Sequence, residues 1–489
     1  MSEGLLFDTI LANARVVRPN SDGPIEASIG IKDGSIVAVE SFLDPATASE
    51  VVDAGGKYAL PGGVDAHFHM GIYNPLEEDA DSESRAAAVG GVTTALNYMR
   101  TGAYYLNRGG SYEEFFPEVL ERMSGNSFVD YGFHLAPIQS SHIDEIPMLV
   151  DRFGVTSFKI FMFYGGHGLH GRSNDQAAFL MTPPEERYDF AHFEFVMRGI
   201  TEAMEAFPDK ADQISLSLHC ETAEIMTAYT KMVEDAGELD GLAAYSAARP
   251  QHSEGLAVTI ASYLAHETGC SNINLLHLSS FKAMDAAKRM AGTFPHVDFR
   301  REVTIGHLLA DIETANGVYG KVNPPIRPRE DVEALWEALE DGWVDWVVSD
   351  HACCKEELKL GVPKEDVFLA KSGFGGSEYL LAGLFSEVTK RGLPITKVAE
   401  LTSWNPARRY GLTTKGDLAP GFDADIALLD PSRSMVVAAE TSPSTQEYTP
   451  FEGHELSATV TDVWVRGNRV VDSGSVVGSP TGRYQHRPT

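Results

Sequence analysis

Ser157-Phe158-Lys159-Ile160-Phe161-Met162-Phe163-Tyr164 is an apolar run with a single cation inside it. A buried ammonium is costly unless it is paired or chemically changed. Four other apolar runs end in histidine or aspartate: Val64-Asp65-Ala66-His67-Phe68-His69, Leu216-Ser217-Leu218-His219, Leu275-Leu276-His277 and Val347-Val348-Ser349-Asp350. Short apolar runs of this kind suit buried strands. Five strand ends that offer nitrogen and oxygen ligands point to one shared metal site, and a metal site of this composition points to a hydrolase.

Working outward, strands alternate with helical stretches. Eight strand starts are expected near Val64, Thr93, Asp130, Ser157, Ile214, Ile273, Val297 and Trp346. Helical periodicity runs from Glu113 to Met123, Phe193 to Phe207, Glu254 to Thr268 and Arg329 to Leu339. Such alternation predicts an α/β fold, a TIM (β/α)8 barrel with insertions, because a closed barrel brings all eight C-terminal strand ends to one mouth. A doubly wound open sheet would not readily gather the first, fourth, fifth, sixth and eighth strands. The first sixty residues read as short strands and turns, with Thr9 to Ala12 and Ala14 to Val17 flanking Asn13, and a turn at Lys32-Asp33-Gly34. The C-terminal region has the same style, so the two ends are expected to form one small β-sandwich. The expected division is 1–60 (sandwich, N-terminal part), 61–414 (catalytic barrel) and 415–489 (sandwich, C-terminal part, and tail). Two insertions leave the expected active-site face. One follows Tyr164, is rich in glycine and carries His167 and His170; the other runs from Thr101 to Ser111 with Tyr104 and Tyr105. Long glycine-rich loops at such places are often lids.

A chain of 489 residues, 43% hydrophobic and 22% charged, has the composition of an ordinary globular protein. Its formal charge of −31 argues against nucleic acid or an anionic membrane as partner. Cys220, Cys270, Cys353 and Cys354 form no C-x-x-C pair and suggest no disulfide framework, which fits a reducing cytoplasm. Met1-Ser2-Glu3-Gly4 does not begin a signal peptide, and no apolar stretch approaches the roughly 18 to 20 residues that span a bilayer.

His67 and His69, two apart on a strand, present both imidazoles to one side. His219 and His277, each taken alone, could equally be satisfied core histidines, and Asp350 could cap a following helix. Joint placement on strand ends favours metal. Imidazole and carboxylate suit zinc, and also manganese or cobalt. Four histidines and an aspartate exceed what one open catalytic zinc needs, so two divalent ions and a bridging ligand are expected. Lys159 could be that bridge if carbon dioxide converts its amine to an anionic carbamate; a lysine paired with a nearby aspartate is the alternative.

The sequence resembles the dihydropyrimidinase and hydantoinase branch of the amidohydrolase superfamily over nearly its whole length. Pro61-Gly62-Gly63-Val64-Asp65-Ala66-His67-Phe68-His69 is similar to that family's first metal motif, and Ser157 to Tyr164 to its carboxylated-lysine motif. His219-Cys220-Glu221, Ser349-Asp350-His351, Asn405 to Leu412 and Gly421 to Asp425 match further motifs in order. The resemblance implies that His67, His69 and Asp350 hold one metal, that His219 and His277 hold the second, and that N6-carboxylated Lys159 bridges them. It implies a metal-bridging hydroxide as nucleophile, Tyr164 as donor to the oxyanion, Asp350 as proton carrier and Asn323 as a backbone contact to substrate. It also implies a small cyclic amide of the hydantoin or dihydropyrimidine type as substrate, and a homotetramer or homodimer.

Some positions depart from that branch. Asn323 stands where many hydantoinases have serine, and Glu302 to Leu308 with Lys321 to Pro325 lean toward dihydroorotases and allantoinases. Ser372-Gly373-Phe374-Gly375-Gly376 replaces the usual substrate-facing pattern, and Cys353-Cys354 the usual residues after Asp-His. His134 and His307 are expected behind the site or in the core. Allantoin, dihydroorotate, an imide or a substituted urea are the alternative substrates. A non-catalytic scaffold is a further reading, although such relatives have lost ligands that are all present here.

Overall fold

The computed structural model describes residues 5–166 and 179–489. Its centre is a parallel sheet of eight strands in sequence order: Gly63–Phe68, Val92–Met99, Asp130–Leu135, Ser157–Phe161, Ser215–His219, Asn272–Leu275, Asp298–Thr304 and Trp346–Val348. These are the eight strands expected from the sequence. The first six strands and the eighth are buried along their whole length, as parallel strands covered by helices must be. The eighth strand returns to the first through a parallel bridge between Phe68 and His351, with His69 N–H donating to the His351 carbonyl at 2.8 Å. The Asp65 carboxylate, accepting from Ser349 N–H at 3.0 Å and from its hydroxyl, reinforces the same seam. The sheet therefore curls into a TIM barrel. The four expected helices lie at Tyr112–Met123, Phe190–Ala206, Gln251–Thr268 and Arg329–Glu340.

Both chain ends build a second unit together. Nine strands form one mixed sheet, five from before residue 62 and four from after residue 425. Ile426–Asp430 pairs antiparallel with Tyr58–Pro61 and so stitches the ends together. Leu11, Ile29, Ile31, Ile426, Leu428 and Trp464 form a core distinct from the barrel's. The two short strands expected on either side of Asn13 are one strand, Phe7–Val16. Its register shifts between Leu11 and Ala14, and Asn13 takes φ 56° there, a conformation asparagine tolerates. The expected turn at Asp33-Gly34 is present with φ 50° and 81°, the left-handed pair a two-residue hairpin needs. Among the described residues no helix is long and apolar enough to cross a membrane.

Candidate metal centre

Each ligand candidate sits where a barrel strand ends. His67 is the last but one residue of the first strand and His69 follows the strand; Lys159 lies within the fourth; His219 ends the fifth; His277 and Asp350 lie two residues past the sixth and eighth. All six are buried. His277 and Asp350 have φ of 34° and 53°. That left-handed conformation costs a histidine about 1 kcal/mol or more and turns the chain sharply at the strand end.

The six candidates converge. His67 Nε2 lies 2.5 Å from Lys159 Nζ and 2.9 Å from Asp350 Oδ1, and His69 Nε2 lies 3.2 Å from the same oxygen. The His67 ring is 5.3 Å from both the His69 and His277 rings, and His219 is 4.3 Å from His277. Ligand atoms of His67, His277 and Asp350 lie within 4.8 Å of one another. His69, Tyr164, His219, His277, Asn323 and Asp350 all face one cleft.

Hydrogen bonds behind the ligands fix their tautomers. His67 Nδ1–H donates to Glu302 Oε1 at 2.7 Å, and the His277 backbone N–H donates to the same oxygen at 3.2 Å. Trp346 Nε1–H occupies the other Glu302 oxygen at 2.9 Å. His219 Nε2–H donates to Glu221 Oε2 at 2.6 Å. A carboxylate can only accept, so the neutral His219 ring keeps its lone pair on Nδ1, whereas His67 meets a second carboxylate oxygen, of Asp350, at its other nitrogen. Among the described residues, His219 Nδ1 and His277 Nδ1 are buried without a hydrogen-bond partner. A buried polar atom left unpaired costs about 1–3 kcal/mol, which a cation at this point would relieve. The residues therefore fit a metal.

Electrostatics agree. Burial holds His69 down to about 3 and His219 down to about 4, so both rings are neutral at pH 7 and able to offer a lone pair. Burial alone would raise Asp350, but His67 and His69 outweigh it and hold the carboxyl well below its usual range. Burial lowers Lys159 to about 8, against the opposing pull of Asp350 and Glu302. Among the described residues no carboxylate oxygen forms an ion pair with Lys159 Nζ; its other neighbours are the rings of Tyr98 and Phe161, at 4.7 and 4.4 Å. The alternative of a lysine paired with aspartate is thus not what the structure contains.

The remaining expected residues fall as follows. Tyr164 is buried, stacks on Phe161 at 4.5 Å and hydrogen-bonds Arg100. Asn323 Oδ1 accepts from the Tyr245 hydroxyl at 2.5 Å. Ser372 and Gly373 face the cleft, and the Ser372 carbonyl accepts from Tyr73. His134 bonds Ser157 and the Ala66 carbonyl, and His307 bonds Thr304 and the Pro324 carbonyl, so both lie behind the site. Cys353 and Cys354 are buried, with thiols that burial pushes up. His167 and His170 of the expected lid lie outside the described residues. The other insertion packs Tyr105 onto the centre, its hydroxyl 3.0 Å from His69 Nδ1.

Sequence reasoning missed Glu302, Tyr105, Arg100, Tyr245 and Arg249 as neighbours of the site. Glu302 alone carried a signal, a carboxylate inside a strand. Two other groupings of potential ligands are already satisfied by protein groups. Asp79 and Glu83 accept from Gly71, Asn74, His351, Ser444 and Thr445, and Asp130 and Asp425 surround Lys415.

Comparison with known proteins accords with this geometry. The model of the amidohydrolase family matches residues 58–470. An allantoinase of Rubrobacter xylanophilus is 33% identical over 484 residues, covering 98% of this chain and 97% of the relative. A D-hydantoinase of Rhizobium radiobacter is 29% identical over 499 residues, covering 98% and 99%. The crystal structure of a dihydropyrimidinase from Brevibacillus agri superposes with TM-score 0.84 at 26% identity, covering 98% of this chain and 99% of that one.

Proposed function

The chain belongs to the amidohydrolase family, and from that premise we propose that it opens a cyclic amide ring of the hydantoin type to an N-carbamoyl amino acid. The names of its relatives support the ring. Allantoin is itself a ureido-substituted hydantoin, so allantoinase and D-hydantoinase share a five-membered substrate core. Unsubstituted dihydropyrimidines and allantoin are the two neighbouring readings, the second favoured by the allantoinase at 33% identity.

The observation that carries the reading is the pair of imidazole nitrogens on His219 and His277 left without a partner among the described residues, set beside His67, His69, Asp350 and a buried Lys159 that meets His67 instead of a carboxylate. His67, His69 and Asp350 would hold one divalent ion, and His219 and His277 a second, with Lys159 bridging as its carbamate. Zinc suits the donors best; manganese and cobalt are also compatible. When bound, the ions supply positive charge that polarises a carbonyl and acidifies water. Burial that lowers Lys159 to about 8 raises the fraction of neutral amine, the form that adds to carbon dioxide with loss of a proton.

The protein groups then divide the work. The Asn323 backbone orients the ring in the cleft. The Tyr164 phenol keeps its proton and donates a hydrogen bond to the carbonyl oxygen as negative charge develops there. An Asp350 carboxylate oxygen takes up the proton released by the attacking water and returns it to the ring nitrogen as the C–N bond breaks. The test combines elemental analysis with a panel of five- and six-membered cyclic amides. The expected result is close to two metal ions per chain and highest kcat/KM on a hydantoin ring. Full activity and full metal content in Lys159→Ala would refute the proposal.

A further inference from the structure

A buried chain of hydrogen bonds leaves the metal centre at His219 and ends at Asn323. His219 donates to Glu221 at 2.6 Å. Glu221 accepts both prongs of the Arg249 guanidinium, at 2.9 Å from Nε and 2.5 Å from Nη2. Arg249 Nη1 donates to the Tyr245 hydroxyl at 3.2 Å, and Tyr245 donates to Asn323 Oδ1 at 2.5 Å. Tyr245 is 4% exposed and Asn323 7%, while Arg249 and Glu221 are at 1% or less.

The direction of every link is fixed. Glu221 has only acceptors and arginine only donors. The Tyr245 oxygen therefore accepts from Arg249, which leaves its one proton for Asn323. A buried Arg–carboxylate fork is rigid, because breaking either bond strands a charge away from water. Tyr245 and Arg249 lie in and just after the helix Gly241–Ala248, which contributes no ligand candidate. Tyr245 packs in the main core beside Phe368, but that packing does not account for its hydrogen bonds to Arg249 and Asn323.

We propose that Tyr245 and Arg249 are positioning residues that hold Asn323 at a set place relative to the His219 imidazole, and so determine which ring size the cleft accepts. The claim rests on the reading of Asn323 as the substrate's backbone contact. Pinning its side-chain amide fixes the backbone that meets the ring. Anchoring that pin to Glu221 ties it to the same carboxylate that orients a ligand imidazole.

The test uses Tyr245→Phe, which removes one oxygen, and Arg249→Lys, which keeps the charge and loses the fork. Three quantities are measured: metal content, kcat and KM across five- and six-membered cyclic amides, and hydrogen exchange of segment 317–323 in metal-free protein. Tyr245→Phe should keep wild-type metal content, exchange faster in that segment, raise KM by about tenfold with a smaller change in kcat, and narrow the preference between ring sizes. Arg249→Lys should add a loss of metal occupancy. Unchanged exchange in Tyr245→Phe, or faster exchange with unchanged KM, overturns the proposal. Should the wild type open none of the rings, the proposed function fails on its own, while the exchange measurement still decides whether Tyr245 positions Asn323.

Discussion

Glu302 shows how much of a site can rest on one carboxylate. It accepts from the His67 ring, the His277 backbone and the Trp346 indole, and so orients one ligand candidate and the chain beside another. Glu302→Gln keeps the shape but brings an amide that can accept with only one oxygen, leaving one of three donors opposed by another donor. Metal affinity should fall by about 10–100-fold while the folded state persists, and competition with a chromogenic chelator measures it. The ligand candidates were legible in the sequence because each ends or interrupts an apolar run. Tyr105, Tyr245 and Arg249 were not, because nothing local to a residue records that a partner 28, 36 or 78 positions away will meet it. Lys359 was equally silent. Its ammonium lies buried, donating to the carbonyls of Lys321 and Gly373, and burial lowers it to about 7. Between that value and its ordinary 10.5 the unfolded chain binds the proton and the folded chain does not, so this group adds stability as pH rises. Wild type should therefore gain on Lys359→Met from pH 7 to 9.5, by at most about 1.4 kcal/mol per pH unit. Parallel denaturation curves over that range would show instead that Lys359 stays charged when folded.

Elements were read most securely where burial and period agree. The barrel strands are short and, apart from Asp298–Thr304, buried along their length, and each begins within a residue of where the sequence places it. The helix start at Phe190 was placed three residues late, since Asp189 caps it with a side chain that accepts from Ala191 and His192 at 3.1 and 3.2 Å. Apolar periodicity begins only at Phe193, so the pattern marks the packed face and not the cap. That helix lays Phe193, Val196, Met197 and Ile200 against the barrel. Asp189→Ala should cost about 1 kcal/mol, seen as an earlier thermal transition, with metal content unchanged. The single bulged strand at Phe7–Val16 was split in the sequence reading for a related reason. A left-handed asparagine looks like a turn when the partner strands that carry the chain through it are out of view, and here Asn13 is also tied to Asp53 at 2.9 Å.

At the scale of the whole molecule, the two chain ends do more than pair with each other. Residues 482–489 run beneath the barrel, on the side away from the ligands. Gly482 N–H donates to Ser127, Gln485 N–H to Tyr131, Arg487 N–H to Gly154 and Thr489 N–H to Gly411, all carbonyls at 2.8–3.1 Å. A Cβ on Gly482 would lie 2.0 Å from the Val129 carbonyl oxygen, so the tail approaches more closely than any side chain allows. Arg487 is fully buried and donates to Ser157 Oγ at 2.9 Å and to the Phe133 carbonyl. Ser157 begins the strand that carries Lys159, so the tail anchors that strand two residues below the expected bridging ligand. Arg487→Ala would leave a cavity and remove one hydrogen bond each from the Phe133 carbonyl and from Ser157 Oγ, which His134 still meets, at a cost of about 3 kcal/mol. Gly482→Ala should act by another route, pushing the tail off the barrel floor without touching Arg487. Both variants should unfold at lower temperature than wild type, and metal loss should follow unfolding instead of preceding it. If metal leaves Arg487→Ala at temperatures where the fold is intact, the tail governs the position of Lys159 directly; wild-type melting in both variants would mean that the tail is not part of the cooperative unit.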